Sequence, residues 1–250
     1  MTLHQILTGI ADLFFPPRCV TCGALLEEQG PLPFCPLCTA GIHFIRSPLC
    51  PRCGIPYPVT EGEDHLCGEC LVTARPYAIA RAVGRYEGTL LTAIHLFKYR
   101  GKIGIGRVLG RIMADFAAGQ WDMKVFSAIM PVPLHRKRLR ERGFNQAVIL
   151  AREIAKRFSL PLDFMTLKRQ LFTAPQVGLG REDRSANVRG AFTVQQPAKV
   201  AGRRILLVDD VATTGSTLAE CALALMRAEA EAVAVLTLAR AVPDQDAPGQ

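Results

Sequence analysis

The sequence predicts an α/β chain in two parts: a doubly wound, mainly parallel sheet behind a small cysteine-rich module. Three observations predict it. Eight of the nine cysteines form four Cys-x-x-Cys pairs inside the first 70 residues. Beyond about residue 75, strand-length apolar runs alternate with helix-length periodic segments, the pattern of strand-helix-strand units whose strands pair in parallel. With 49% apolar residues, 250 residues can bury a core in one or two domains. The expected organisation is therefore 1–75 as an N-terminal helix plus the cysteine module, 76–242 as the sheet domain and 243–250 as a disordered tail.

Each element has its own cue. Residues 1–15 are apolar but lack a basic leader and a small-residue cleavage site, and they contain Asp12; a short helix of the mature protein is expected rather than an export signal. In the second part, 79–86 reads as a strand, and 88–96 and 106–118 read as helices. Residues 126–132 read as a strand that ends in Pro131-Val132-Pro133. Residues 144–158 carry a 3.6-residue period through Val148, Leu150, Ala151, Ile154 and Ala155, the mark of an amphipathic helix. Residues 204–208 form a buried strand, 217–229 a helix and 232–238 a final strand. Ligands of such sheets bind beyond the carboxyl ends of the strands. No apolar run approaches the roughly 18 to 20 residues that span a bilayer, so no membrane span is expected.

The cysteine pairs have the spacing of a metal site. A Cys-x-x-Cys turn presents two thiolates on one side of a tight loop, and two turns complete the tetrahedral set that zinc takes. Twelve residues separate Cys22 from Cys35 and thirteen separate Cys53 from Cys67, so each half reads as one zinc ribbon. Sequential pairing assigns Cys19, Cys22, Cys35 and Cys38 to one Zn²⁺, and Cys50, Cys53, Cys67 and Cys70 to a second; a crossed pairing is the alternative. A redox dithiol would need one pair beside a thioredoxin-like strand, which four repeats do not resemble. Thiolate ligation in place of disulfides also points to the reducing cytoplasm. Zinc here substitutes for a core, with direct nucleic-acid contact as the other role. His43 and His65 read as surface residues and Cys221 as a buried apolar one. The formal charge of +8 treats every thiol as neutral; two sites of four thiolates each would bring it to about +4, so local clusters carry more weight than the total. The sharpest cluster is Arg136, Lys137, Arg138, Arg140 and Arg142.

Residues 205–217 hold the most chemistry. Ile205, Leu206, Leu207 and Val208 form a buried strand, Asp209 and Asp210 stand at its end, and a small-residue turn, Thr213, Thr214, Gly215, Ser216 and Thr217, leads into a helix. Backbone N–H groups of that turn and the helix N-terminus suit a phosphate, with the hydroxyls as further donors. The paired acids suit ribose hydroxyls, directly or through Mg²⁺. No lysine of a Walker A motif is present, which excludes an ordinary nucleotide triphosphatase loop. A phosphorylated ribose is the expected ligand.

This segment resembles the signature of type I phosphoribosyltransferases. The sets Phe97-Lys98-Tyr99-Arg100-Gly101, Pro131-Val132-Pro133-Leu134 and Arg142-Gly143-Phe144-Asn145-Gln146, with Gln176, Leu179, Arg184, Asn187 and Gly190-Ala191-Phe192, resemble the ComF family over nearly the whole chain. The resemblance implies a type I phosphoribosyltransferase-like fold that binds phosphoribosyl pyrophosphate with Mg²⁺, behind the double zinc ribbon. It implies a pyrophosphate loop at Lys98, Tyr99, Arg100 and Gly101, where Lys98 and Arg100 would act with Asp209 and Asp210 as the catalytic set. Arg138, Arg140 and Arg142 would meet either the same anion or nucleic acid, and Arg184 would sit in a mobile flap. A role in DNA uptake and natural transformation follows, with contact to single-stranded DNA and the uptake machinery. Phe97, Tyr99 and Phe144 are available as stacking platforms or as core. A Mg²⁺-dependent transferase with an unidentified acceptor and a non-catalytic ligand sensor are the alternatives. The 6-oxopurine enzymes of this superfamily place an acid where Thr213 stands, so purine salvage is not expected. Thr2 also stands where an amidotransferase domain would expose its nucleophilic cysteine.

Overall fold

The structure, a computed structural model, describes residues 16–26, 32–99, 102–171 and 188–242. The expected N-terminal helix and tail, together with Arg100, Gly101, Gln176, Leu179, Arg184 and Asn187, lie outside the described residues.

Two short helices, α1 (Pro36–Ala40) and α2 (Gly68–Val72), each start after a cysteine of a pair. The sheet is fully parallel and contains β1 (Ile79–Arg85), β2 (Ala128–Pro131), β5 (Arg204–Ala212) and β6 (Ala232–Arg240), in the order β1-β6-β5-β2. Between β1 and β2 come α3 (Gly88–Tyr99) and α4 (Ile103–Gln120); after β2 come α5 (Arg136–Arg142) and α6 (Gln146–Phe158). A small antiparallel pair, β3 (Leu167–Arg169) with β4 (Phe192–Val194), precedes β5, and α7 (Ser216–Arg227) joins β5 to β6.

Strand alternation divides the interior into two cores, one on each face. On β5, Leu206 and Val208 join a cluster with Leu90 and Ile94 of α3, Leu109 and Met113 of α4, and Leu150 and Ile154 of α6. Ile205 and Leu207 point the other way, into a cluster with Leu218, Cys221 and Leu225 of α7. This is the doubly wound arrangement that the sequence predicts.

The cysteine module packs mainly on the sheet cores, with a small cluster of its own in which Ile45 and Leu49 meet Ala82 of β1. Cys19, Phe34, Cys35 and Ile42 pack into the first core, and Cys50 and Cys53 pack into the second. The two ribbons therefore straddle the edge strand β1. Ile45 N donates to Val83 O at 3.1 Å, Arg85 N to His43 O at 2.8 Å, and Ala80 N to Arg52 O at 2.8 Å. Covering an edge in this way removes a template for unwanted strand pairing. Gly54 makes the last of these contacts possible: its φ is +71°, and a Cβ there would stand 2.4 Å from Ala80 O.

Several boundaries differ from the sequence expectation. β5 does not stop at Val208; it continues to Ala212, with Asp209 opposite Thr237 and Val211 opposite Ala239 of β6. Residues 88–96 extend as a helix to Tyr99, so Lys98 and Tyr99 form a last helical turn instead of a loop. The basic run folds as α5, started by the His135 side chain, which accepts from Lys137 N, and stopped by Gly143 at φ 80°. Phe97 is fully buried and belongs to the core; Phe144 stacks on it with ring centroids 5.5 Å apart but is half-buried, and Tyr99 is exposed. Among the described residues no helix is long and apolar enough to cross a membrane.

Candidate functional site

The carboxyl ends of β2 and β5 open into a cleft of about 410 Å³. Strand β5 brings Asp209 and Asp210 to its wall, and the turn that follows brings Thr213, Gly215 and Thr217. Gly215, the residue before α7, takes φ +79°, a left-handed conformation that glycine adopts without strain. The next residues turn directly into a helix of 12 residues whose free N–H groups and dipole favour an anion. Thr214 and Ser216 brace the turn from within: their hydroxyl oxygens lie 2.9 Å apart, and Ser216 N donates to Thr214 Oγ1 at 3.3 Å.

The acids have different surroundings. Asp210 is buried and accepts from Lys98 Nζ at 2.8 Å. Burial works against the Lys98 charge, but Asp210 and then Asp209 outweigh it and hold its pKa above the usual lysine value. Asp209 accepts from Asp210 N at 2.9 Å. Burial, followed by the charge of Asp210, pushes Asp209 up to about 8. The Asp209 carboxyl group is thus reluctant to ionise.

Opposite the acids, α5 supplies Arg138 and Arg142. Arg142 Nη1 donates to Gln146 Oε1 at 2.9 Å, and its guanidinium lies 5.8 Å from the centroid of the Tyr99 ring. Asn145 caps α6 by accepting from Ala147 N at 2.9 Å and ties the preceding loop to β2 by donating to Val132 O at 3.0 Å. Arg140 is exposed and does not line the cleft. Tyr86, Asn145, Gln146 and Arg169 do line it, and the sequence reading assigned them no role. Asn145 and Gln146 stood in a recognised motif, so a signal existed. Arg169 lies on β3, three residues long, and nothing in the pattern marked it. Gln146 is 2% exposed, and its Nε2 makes no hydrogen bond with any described residue.

The eight cysteines form two sets of four, Cys19, Cys22, Cys35 and Cys38, then Cys50, Cys53, Cys67 and Cys70, with all sulfurs of a set within 4.8 Å of one another. Pairing is sequential. Tetrahedral zinc with bonds of about 2.3 Å requires sulfurs about 3.8 Å apart; Cys22 and Cys35 are at 3.6 Å and Cys53 and Cys67 at 3.7 Å. The residues fit the metal. Burial opposes ionisation of Cys50, but the backbone N–H groups of Cys53, Cys67 and Arg52 outweigh it and bring its pKa to about 7. Arg240, the last residue of β6, donates Nη2 to Cys53 Sγ at 3.8 Å. His43 and His65 are exposed and belong to neither set, and Cys221 is buried in the second core.

A parallel sheet with an acid pair and a small-residue turn at its carboxyl edge is the fold of the phosphoribosyltransferase type. The Phosphoribosyl transferase domain family matches residues 145–248, and the Double zinc ribbon domain family matches residues 10–71. Competence protein F of Haemophilus influenzae is 33% identical over 91% of this chain and 99% of its own length. DNA utilization protein YhgH of Escherichia coli is 33% identical over 91% and 99%. Among solved structures, glutamine phosphoribosylpyrophosphate amidotransferase from B. subtilis aligns with a TM-score of 0.36 and 20% identity, over 53% of this chain and 25% of that one. The chain belongs to the ComF family.

Proposed function

We propose that this protein binds phosphoribosyl pyrophosphate with Mg²⁺ in the β5 cleft and works in the handling of incoming single-stranded DNA. One observation carries the ligand assignment. Asp209, Asp210 and Lys98 share a single cleft with the turn from Thr213 to Thr217 at the N-terminus of α7. The turn would hold the 5′-phosphate through its N–H groups and the Thr217 hydroxyl, and the two acids would accept from the 2′- and 3′-hydroxyls. The diphosphate would then face Arg138, Arg142 and Gln146, whose unused carboxamide N–H points to an acceptor brought by the ligand. Mg²⁺ would neutralise diphosphate charge. Lys98, released from Asp210 as the ribose binds, is free to join the diphosphate. Arg100 and Arg184 remain proposed members of this site by resemblance. The printed names of the relatives, a competence protein and a DNA utilization protein, support the DNA role.

The same geometry supports a second reading, transfer with loss of pyrophosphate. Arg138 and Arg142, with Lys98 once it leaves Asp210, would stabilise the leaving diphosphate while Asp209 and Asp210 orient the ribose. Thr213 in place of an acid leaves the acceptor without a proton-accepting carboxylate at that position.

Calorimetry with Mg²⁺ and phosphoribosyl pyrophosphate tests the ligand. Asp209→Asn with Asp210→Asn is expected to abolish binding. Arg142→Gln is expected to weaken phosphoribosyl pyrophosphate about 10-fold and to leave ribose 5-phosphate nearly unaffected, because only the former carries the diphosphate. Equal losses for both ligands would remove the diphosphate from α5. Acceptor-dependent pyrophosphate release would establish the transferase reading.

A further inference from the structure

The helix α5 sorts the basic stretch by face. Residues four apart lie on one side of a helix, and Arg138 and Arg142 both enter the ribose cleft. Arg136 and Leu139, three apart, open instead onto a second and larger groove of about 940 Å³. Arg107 of α4, Arg152 of α6 and Lys168 of β3 line the same groove, and no acidic side chain is among the described residues that do. The nearby acids are engaged elsewhere: Glu153 pairs with Arg111 at 3.6 Å, and Asp163 caps its own turn, accepting from Thr166 Oγ1 at 2.6 Å. Arg107, Arg136 and Arg152 are exposed and make no ion pair with any described residue.

Apolar platforms stand between these charges. Phe164 is 46% exposed, Met165 54% and Leu139 41%, all on the wall of the groove. A basic track interleaved with open apolar faces matches a ligand that is at once a polyanion and a carrier of bare π-faces. Single-stranded nucleic acid has both properties, whereas a duplex hides its base faces inside the stack. Pro133, Leu134, Asn145 and Arg169 line this groove and the ribose cleft alike, so the two are adjacent across one thin wall.

We propose that single-stranded DNA lies in the groove between α5, α6 and β3, with its phosphates on Arg107, Arg136 and Arg152 and a base on Phe164. The inference rests on the DNA-handling reading above and gives it a surface distinct from Arg138, Arg140 and Arg142. Nucleic acid in the groove and sugar phosphate in the cleft occupy different walls, so both bind at once.

Fluorescence anisotropy of labelled oligo(dT) over a salt series, with calorimetry of phosphoribosyl pyrophosphate on the same samples, tests it. The variant Arg107→Gln/Arg136→Gln/Arg152→Gln is expected to bind oligo(dT) at least about 10-fold more weakly and to lose about 2 from the slope of log K against log salt, while its phosphoribosyl pyrophosphate affinity and melting temperature stay unchanged. Phe164→Ala is expected to lose at least about fivefold with the slope intact, the signature of stacking. Wild-type affinity in the triple variant, or loss confined to Arg138→Gln/Arg142→Gln, overturns the groove and leaves DNA contact elsewhere. Absence of oligo(dT) binding by the unaltered protein, or equal binding of duplex or of polyglutamate, overturns it together with the DNA contact. Neither result touches sugar-phosphate binding, which the calorimetry reports independently.

Discussion

At Asp209 the proposed ligand binding and stability would compete. Its folded pKa, raised to about 8, stands above the unfolded aspartate value of about 3.9. Its contribution to stability is therefore complete below about pH 4 and is lost as pH rises through about 8, because the native state keeps a proton that the unfolded chain releases. Asp209→Asn carries no such penalty. It is expected to melt about 3 °C higher than wild type at pH 8, with little difference at pH 4, while its affinity for phosphoribosyl pyrophosphate collapses. Scanning calorimetry at both pH values checks the sign; a lower melting point at pH 8 refutes the account. The two acids and the hydroxyl-rich turn were legible in the sequence because strand, acids and turn are contiguous. Arg169 was not, since it reaches the cleft from the short strand β3 and only tertiary packing brings it there; Gln146 stood in a recognised motif, but nothing in the pattern showed that its side chain enters the cleft. Phe97 stayed open between stacking platform and core for the same reason: basic neighbours in sequence do not reveal that its ring points into the core.

At the scale of elements, periodicity located all four sheet strands and the long helices. It failed where local pattern is weak. Helix α5 has no apolar stripe, so a run of arginines hid a helix that its His135 start and Gly143 stop define. Strands β3 and β4, three residues each, are too short to show alternation. β5 outran its apolar run because β6 continues alongside it to Arg240, and a strand persists where its partner offers hydrogen bonds. The knuckle at Gly54 joins two elements that sequence treats separately. Gly54→Ala places a methyl group against Ala80 O in a backbone conformation unfavourable to alanine. The substitution is expected to cost about 2–3 kcal/mol and to accelerate transfer of one zinc to a chelating dye; unaltered stability and release would show that the knuckle is not pressed on β1.

Over the whole molecule, the metal sites belong to the cores they adjoin, so their loss spreads differently. Cys50 and Cys53 pack in one cluster with Ala212 and Leu218, which flank the turn at residues 213–217, whereas Cys19 and Cys35 pack on the opposite face of the sheet. Cys67→Ser is therefore expected to weaken phosphoribosyl pyrophosphate about 10-fold or more, and Cys22→Ser to change its affinity less than about twofold. Calorimetry on both variants decides, and equal effects would contradict the two-core division. The sequence showed that eight thiols make two sites. It could not show that the sites sit on opposite faces, which depends on where the chain crosses β1.

The contact from Arg240 to Cys53 separates the two ribbons chemically as well. A guanidinium offsets the excess negative charge of the second thiolate cage, whose cysteines are buried or half-buried, while Cys22 of the first is exposed. Peroxide diffusing in from solvent meets the outer cage first. Under mild oxidation the chain should surrender one equivalent of zinc early and still recognise its sugar, making the first ribbon a sacrificial guard for the second.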